Sequence, residues 1–111
     1  MSAHRRRSHR PALTPFARRV LSLLKRVPAG RVVTYGALAA LAGRPGAARA
    51  VGNLMRVAPE PGLPYHRVIA AGGRLGGYGG HEAMKAALLR REGLTVVGGR
   101  VRGFARVRWE G

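Results

Sequence analysis

Cysteine and aspartate are absent from the 111 residues, lysine occurs only as Lys25 and Lys85, and aromatic side chains make up 5%. Each scarcity excludes a chemistry. Without cysteine there is no disulfide framework, no thiolate nucleophile and no cysteine-based zinc site, and the redox compartment stays open. The serines are Ser2, Ser8 and Ser22, two near the start and one on a helix, so none sits in a nucleophile elbow. His4 and His9 lie in the basic start, and His66 and His81 are too few for a metal site without Asp or Cys partners. Glu60, Glu82, Glu92 and Glu110 show no helix-spaced pairing. No uncharged apolar run approaches the roughly 20 residues of a membrane span. The first ten residues are basic but lack the apolar stretch of a secretory signal. No metal or cofactor is implied, and a cytoplasmic, nucleoid-associated monomer is the default expectation. The inventory alone argues for a binding module.

What is abundant is arginine. Lys+Arg number 21 against 4 acidic residues, giving +17 and a sequence pI near 12.0. A planar guanidinium fork suits phosphate and base edges, and such an excess of like charge destabilises a compact fold unless a polyanion offsets it. Nucleic acid is the leading partner. An anionic membrane surface, ribosomal packing and plain solubility are the competing readings. The length fits one compact domain.

Residues 1–12, with Arg5, Arg6, Arg7 and Arg10, read as a disordered basic arm that either follows DNA phosphates or is simply solvated. Thr14-Pro15 is a helix start, and Phe16, Val20, Leu23, Leu24 and Val27 share a face until Pro28-Ala29-Gly30. After an extended Arg31-Val32-Val33, Thr34 caps a short helix through Leu38 and Leu41 that stops at Gly43. A turn at Arg44-Pro45-Gly46 leads to a third helix, from about Gly46 to Val57, expected to bury Ala47, Ala50, Val51 and Leu54. Two short helices joined by a tight Gly/Pro turn read as a helix-turn-helix.

The third helix carries Arg49, Gly52, Asn53 and Arg56 at i, i+3, i+4 and i+7, one stripe with two arginines around a glycine and an amide. Glycine costs a helix about 1 kcal/mol relative to alanine, which suggests close approach of something to the backbone. Ordinary exposed arginines are the equally simple alternative. A proline-punctuated loop, residues 59–64, then leads into Tyr65-His66-Arg67 and a β-like Val68-Ile69-Ala70-Ala71. The Gly-rich stretch 72–80 lacks the Gly-Lys-Ser/Thr ending of a phosphate-binding P-loop. A last helix from about His81 to Arg91 is expected to pack Met84, Ala87 and Leu88 inward and to stop at Gly93, with a tight hairpin or turn at Gly98-Gly99 in an extended, partly ordered tail.

Four segments, in order, resemble the DNA-binding domain of O6-alkylguanine-DNA alkyltransferases: residues 27–36 (VPAGRVVTYG), 47–52 (AARAVG), 64–68 (PYHRV) and 77–80 (GYGG), running on through Arg91-Glu92-Gly93. The resemblance covers roughly residues 14 to 94. Enzymes of that family carry Pro-Cys-His-Arg, whose cysteine accepts the alkyl group from a flipped base; here Tyr65 stands in its place. A phenol with a pKa near 10 is a far weaker acceptor than an activated thiolate. With its arginine-bearing tail near Trp109, the chain is therefore similar to the alkyltransferase-like proteins, which bind alkylated DNA without repairing it and hand the lesion to nucleotide excision repair. Those proteins usually carry tryptophan where Tyr65 stands.

The resemblance implies a mainly α, compact helix-turn-helix (winged-helix-like) domain at 13–94 with short extended segments, and a basic C-terminal extension at 95–111. It implies a minor-groove contact through Tyr35, Arg49, Ala50, Gly52, Asn53 and Arg56, with Arg49 as the finger that replaces an extruded nucleotide. The flipped guanine would meet Tyr35, Pro64, Tyr65, His66, Val68, Tyr78, Gly79 and Gly80, using the backbone carbonyls of Tyr65 and Val68. His66 and Glu92 match two members of the enzymes' activating relay and are left to brace the pocket, Ala58 replacing the relay's asparagine. The implied partners are double-stranded DNA containing O6-alkylguanine and nucleotide excision repair proteins. A helix-turn-helix protein that reads sequence in the major groove is the alternative.

Overall fold

The computed structural model describes residues 13–76 and 81–111; the basic arm at 1–12 lies outside it. Thr14 caps the first helix (α1, Pro15–Leu24) by accepting the Ala17 N–H at 3.0 Å, with Pro15 in the first turn where its missing N–H costs nothing. Thr34 does the same for α2 (Tyr35–Leu41) through the Ala37 N–H at 3.0 Å. The second helix of the helix-turn-helix is α3 (Ala48–Val57). Phe16, Val20, Leu21 and Leu24 of α1, Leu38 and Ala39 of α2 and Val51 and Met55 of α3 close one core cluster. Leu21 takes the buried place expected of Leu23, and α1 ends before Val27, which is nonetheless buried.

Two strands tie this unit to the rest. β1 (Val33–Thr34) pairs in parallel with β2 (Val68–Ile69), Val33 opposite Val68 and Thr34 opposite Ile69. A single 3-10 turn, Tyr65–Arg67, delivers the chain to β2. Beyond β2 come α4 (Glu82–Arg91) and an antiparallel hairpin of β3 (Val96–Val97) and β4 (Arg100–Val101). Gly98 and Gly99 have φ of 60° and 72°, the paired positive values of a two-residue hairpin turn that matches strand twist.

The segment expected to be an extended, partly ordered tail is part of the globule. Val96 and Val101 join Val32, Ile69, Leu75, Ala86, Leu89 and Leu94 in a second core cluster, against which Phe104 and Val107 of a final helix (α5, Phe104–Val107) pack. Val32 donates its N–H to Val107 at 3.0 Å and accepts that of Trp109 at 2.6 Å, closing the end of the chain onto the strand before α2. The fold is mainly α and compact, as expected. Among the described residues no helix is long and apolar enough to cross a membrane.

Candidate nucleic-acid interface

Of the residues expected to face inward from α3, Val51 is buried and Ala47 and Leu54 pack against the first core cluster, while Ala50 does not. Ala48, Val51, Gly52 and Met55 form the inward i, i+3, i+4, i+7 stripe, while Arg49, Ala50, Asn53, Arg56 and Val57 are exposed. Gly52 is therefore buried rather than groove-facing, and Ala50 faces outward rather than into the core. With small residues at 47, 48, 50 and 52, apolar periodicity alone fits two phases, and the fully buried Val51 and the nearly buried Met55 fix the one adopted. The outward face is still one of small and hydrogen-bonding residues between arginines. Arg49 stands in its first turn.

A cleft of about 470 Å³ opens beside this face, between the end of α3, the 59–64 loop, the 3-10 turn and α4. Tyr35, Arg56, Tyr65 and His66 line it together, with Met55, Ala58, Leu63, Gly76 and residues of α4. Pro64 and the side chain of Val68 lie outside the lining, and Tyr78, Gly79 and Gly80 fall outside the described residues. Tyr35 is buried in the wall, and Gly76, at φ 83°, lies so close that a Cβ there would stand 3.2 Å from the ring. Only glycine meets both demands.

Tyr65 is clasped to the loop opposite. Its hydroxyl donates to the Glu60 carbonyl at 2.7 Å and accepts the Glu60 N–H at 3.1 Å. Burial pushes the phenol above its ordinary pKa of 10; the hydrogen bond to the Glu60 backbone opposes this and the Glu60 carboxylate adds to it. The hydroxyl is thus protonated at neutral pH and engaged twice, which weakens it further as a nucleophile. Tyr65→Phe should cost about 1–2 kcal/mol, the penalty for stranding partly buried backbone groups, and speed amide exchange at Glu60. Denaturant titration and hydrogen exchange check both.

Behind Tyr65, His66 Nε2 lies 2.8 Å from Glu92 Oε2, the pair implied by the resemblance. The sequence reading missed what holds Glu92. Arg67 grips it bidentately, Nε to Oε1 at 3.0 Å and a terminal nitrogen to Oε2 at 2.6 Å, and its other terminal nitrogen donates to the Val27 carbonyl at 2.8 Å. The Arg67 hydrogen bonds lead in pulling the Glu92 carboxyl down to about 2; burial opposes them, and His66 contributes less. Ala58 ends α3 at φ 48° and ψ 63°, the one non-glycine residue of positive φ among the described residues. The left-handed conformation costs an alanine about 1 kcal/mol, and asparagine, the residue the resemblance puts here, adopts it more readily. The alanine methyl offers His66 and Glu92 no third partner.

Lys85 is the other residue missed. Its Nζ donates to the carbonyls of Val68 at 2.7 Å and Leu75 at 2.9 Å and to the Tyr35 hydroxyl at 3.2 Å. Burial lowers its pKa to about 8, with Glu82 acting the other way. Both carbonyls expected to meet a base thus have internal donors already, Lys85 on Val68 and the Val68 N–H on Tyr65. Lys85 also overturns the expected face of α4: Met84 is 62% exposed and Ala87 is exposed, while Ala86 and Leu89 are buried. A lysine directed inward interrupts the apolar stripe by which the face would be read. Its rarity in so arginine-rich a chain was the available signal.

Among the described residues no cluster of three or more His, Cys, Asp or Glu could hold a metal. The family model described as 6-O-methylguanine DNA methyltransferase, DNA binding domain, matches residues 15–94. Methylated-DNA–protein-cysteine methyltransferase of Salmonella typhimurium is 51% identical over 85 residues, 76% of this chain and 50% of that protein. A DNA base-flipping protein of Thermus thermophilus is 48% identical over 82 residues, 73% of this chain and 54% of that protein. The chain spans about half the length of the curated relatives it matches. Among solved structures, S. pombe Atl1 in complex with damaged DNA containing O6-carboxymethylguanine aligns with a TM-score of 0.77 at 29% identity, over 86% of this chain and 95% of Atl1.

Proposed function

This chain belongs to the 6-O-methylguanine DNA methyltransferase family through its DNA-binding domain, and from that premise we propose that it senses O6-alkylguanine in duplex DNA without removing the alkyl group. The observation that carries the reading is Tyr65. It stands where the resemblance puts the acceptor cysteine and lines the cleft, with His66 and Glu92 paired behind it, in a chain with no cysteine at all. The damaged DNA in the Atl1 complex, a neighbour aligned over nearly its whole length, supports the same ligand for this chain.

In this reading α3 enters the minor groove, its exposed Ala50 and Asn53 permitting close approach. Arg49 fills the gap left by the extruded nucleotide, offsetting part of the few kcal/mol that unstacking costs. The guanine enters the cleft between Tyr35 and Tyr65, where the phenol clasped on Glu60 forms a fixed wall. The protein acts as a monomer and marks the lesion for nucleotide excision repair, the role that the alkyltransferase-like resemblance implies.

Matched duplexes with and without one O6-methylguanine, titrated at about 0.2 M salt where nonspecific arginine–phosphate binding has weakened steeply, test the reading. The damaged duplex should bind at least about tenfold more tightly, the effect of roughly 1.4 kcal/mol of differential contact. Equal affinities would instead favour a helix-turn-helix protein indifferent to the lesion.

A further inference from the structure

The hairpin and α5 present arginines that neither the recognition helix nor the cleft uses. Val96 and Val101 point into the second core cluster, so Val97 and Arg100 face out, and Arg74 bridges to Arg100 from the adjoining segment. The Arg102 N–H donates to Thr95 at 2.9 Å and prolongs the ladder, placing Arg102 on the same outward face two residues from Arg100. Nearby guanidinium groups are pinned on backbone carbonyls: Arg100 on Gly72 at 3.0 Å, Arg90 on Val96 at 2.8 Å and Arg31 on Arg106 at 3.0 Å. These bonds hold Arg100, Arg90 and Arg31 in place without neutralising them. All four glutamates are committed elsewhere, Glu60 with Lys25, Glu92 with His66 and Arg67, Glu110 with Arg108, and Glu82 beside Lys85. No ion pair reaches Arg74, Arg100 or Arg102 among the described residues.

We propose that this arginine face, built on the second core cluster while α3 is built on the first, is a sequence-independent site for the phosphate backbone of duplex DNA. Uncompensated guanidinium forks on one face, that of Arg100 held in place on Gly72, suit phosphate contact, which needs no apolar centre. A protein partner would need one, and the face offers only Val97. The inference rests on the reading of the chain as a DNA-binding protein, but not on its preference for a lesion. The phosphates come from DNA flanking the lesion or from a second duplex.

The test is the triple substitution Arg74→Gln, Arg100→Gln and Arg102→Gln in the full chain, with the triple lysine variant as control for folding and charge. Binding to undamaged and O6-methylguanine duplexes of about 12 and 40 base pairs is measured against salt, and a bead-held duplex is assayed for protein-dependent capture of a second, labelled duplex. Loss of three phosphate contacts should make the slope of log affinity against log salt shallower by roughly 2 to 3, and lysine should restore it. The ratio of damaged to undamaged affinity should not move. A change confined to the longer duplex assigns the phosphates to flanking DNA; lost capture assigns them to a second duplex. Wild-type slopes on both lengths together with unchanged capture would overturn the proposal and leave an acidic protein or solvent as what the face meets. A wild-type affinity ratio of one would refute lesion sensing and leave this surface standing.

Discussion

Glu92→Gln is expected to lose about 2–3 kcal/mol of folding stability at pH 7, the largest loss foreseen for a single side chain here. The carboxylate is only 16% exposed and serves Arg67 twice and His66 once, so an amide leaves the Arg67 charge partly buried without its counter-charge. The pH dependence identifies the cause. Glu92 titrates near 2 in the folded chain against an ordinary 4.5. For a depressed carboxylate the unfolded chain binds the extra proton between those values, so its contribution is fully present above about pH 5 and fades as pH falls toward 2. Urea titrations from pH 2 to 7 should show the two proteins converging at the acid end. A gap that stayed constant with pH would locate the cost in packing, not in the ion pair.

Arg49→Ala is expected to weaken binding to the lesion duplex by about 30-fold, the equivalent of roughly 2 kcal/mol, and undamaged DNA by only a few-fold. Arg49 is exposed in the first turn of α3, outside the core cluster, so its removal leaves the fold unchanged. In the proposed function it takes away the group that fills the hole in the base stack, so the cost would fall on the extruded state. A fluorescent base analogue at the lesion position should lose most of its protein-induced signal. Unchanged extrusion with weakened binding would make Arg49 a phosphate contact only.

The parts of this fold legible in the sequence are those decided within a few residues. Thr14-Pro15 and Thr34 announce helix starts by capping chemistry, and Gly98-Gly99 announces a hairpin by its positive φ values. Which small residues of α3 turn inward, and the phase of α4, were not legible. Ala48, Ala50 and Gly52 are small enough for either side of α3, and Lys85 breaks the apolar stripe of α4, so the packing partners decide. The parallel pairing of β1 with β2 joins residues 35 apart in the chain, and no local signal specifies it. In the cleft, the acceptor position, Tyr35 and the His66–Glu92 pair followed from the resemblance. Arg67 and Lys85 did not, because each acts through partners on distant elements, Val27 and Glu92 for the one, Tyr35 and Val68 for the other.

The proposed function turns on Tyr65, which lines the cleft with its hydroxyl protonated and held on the Glu60 backbone. The most direct measurement is therefore to incubate excess protein with a duplex whose single O6-methylguanine carries a labelled methyl group, isolate the complex, and locate the label after denaturation. The complex should form on the damaged duplex in preference to its undamaged match, with all of the label still on the DNA. Label on the protein would contradict lesion sensing without alkyl transfer.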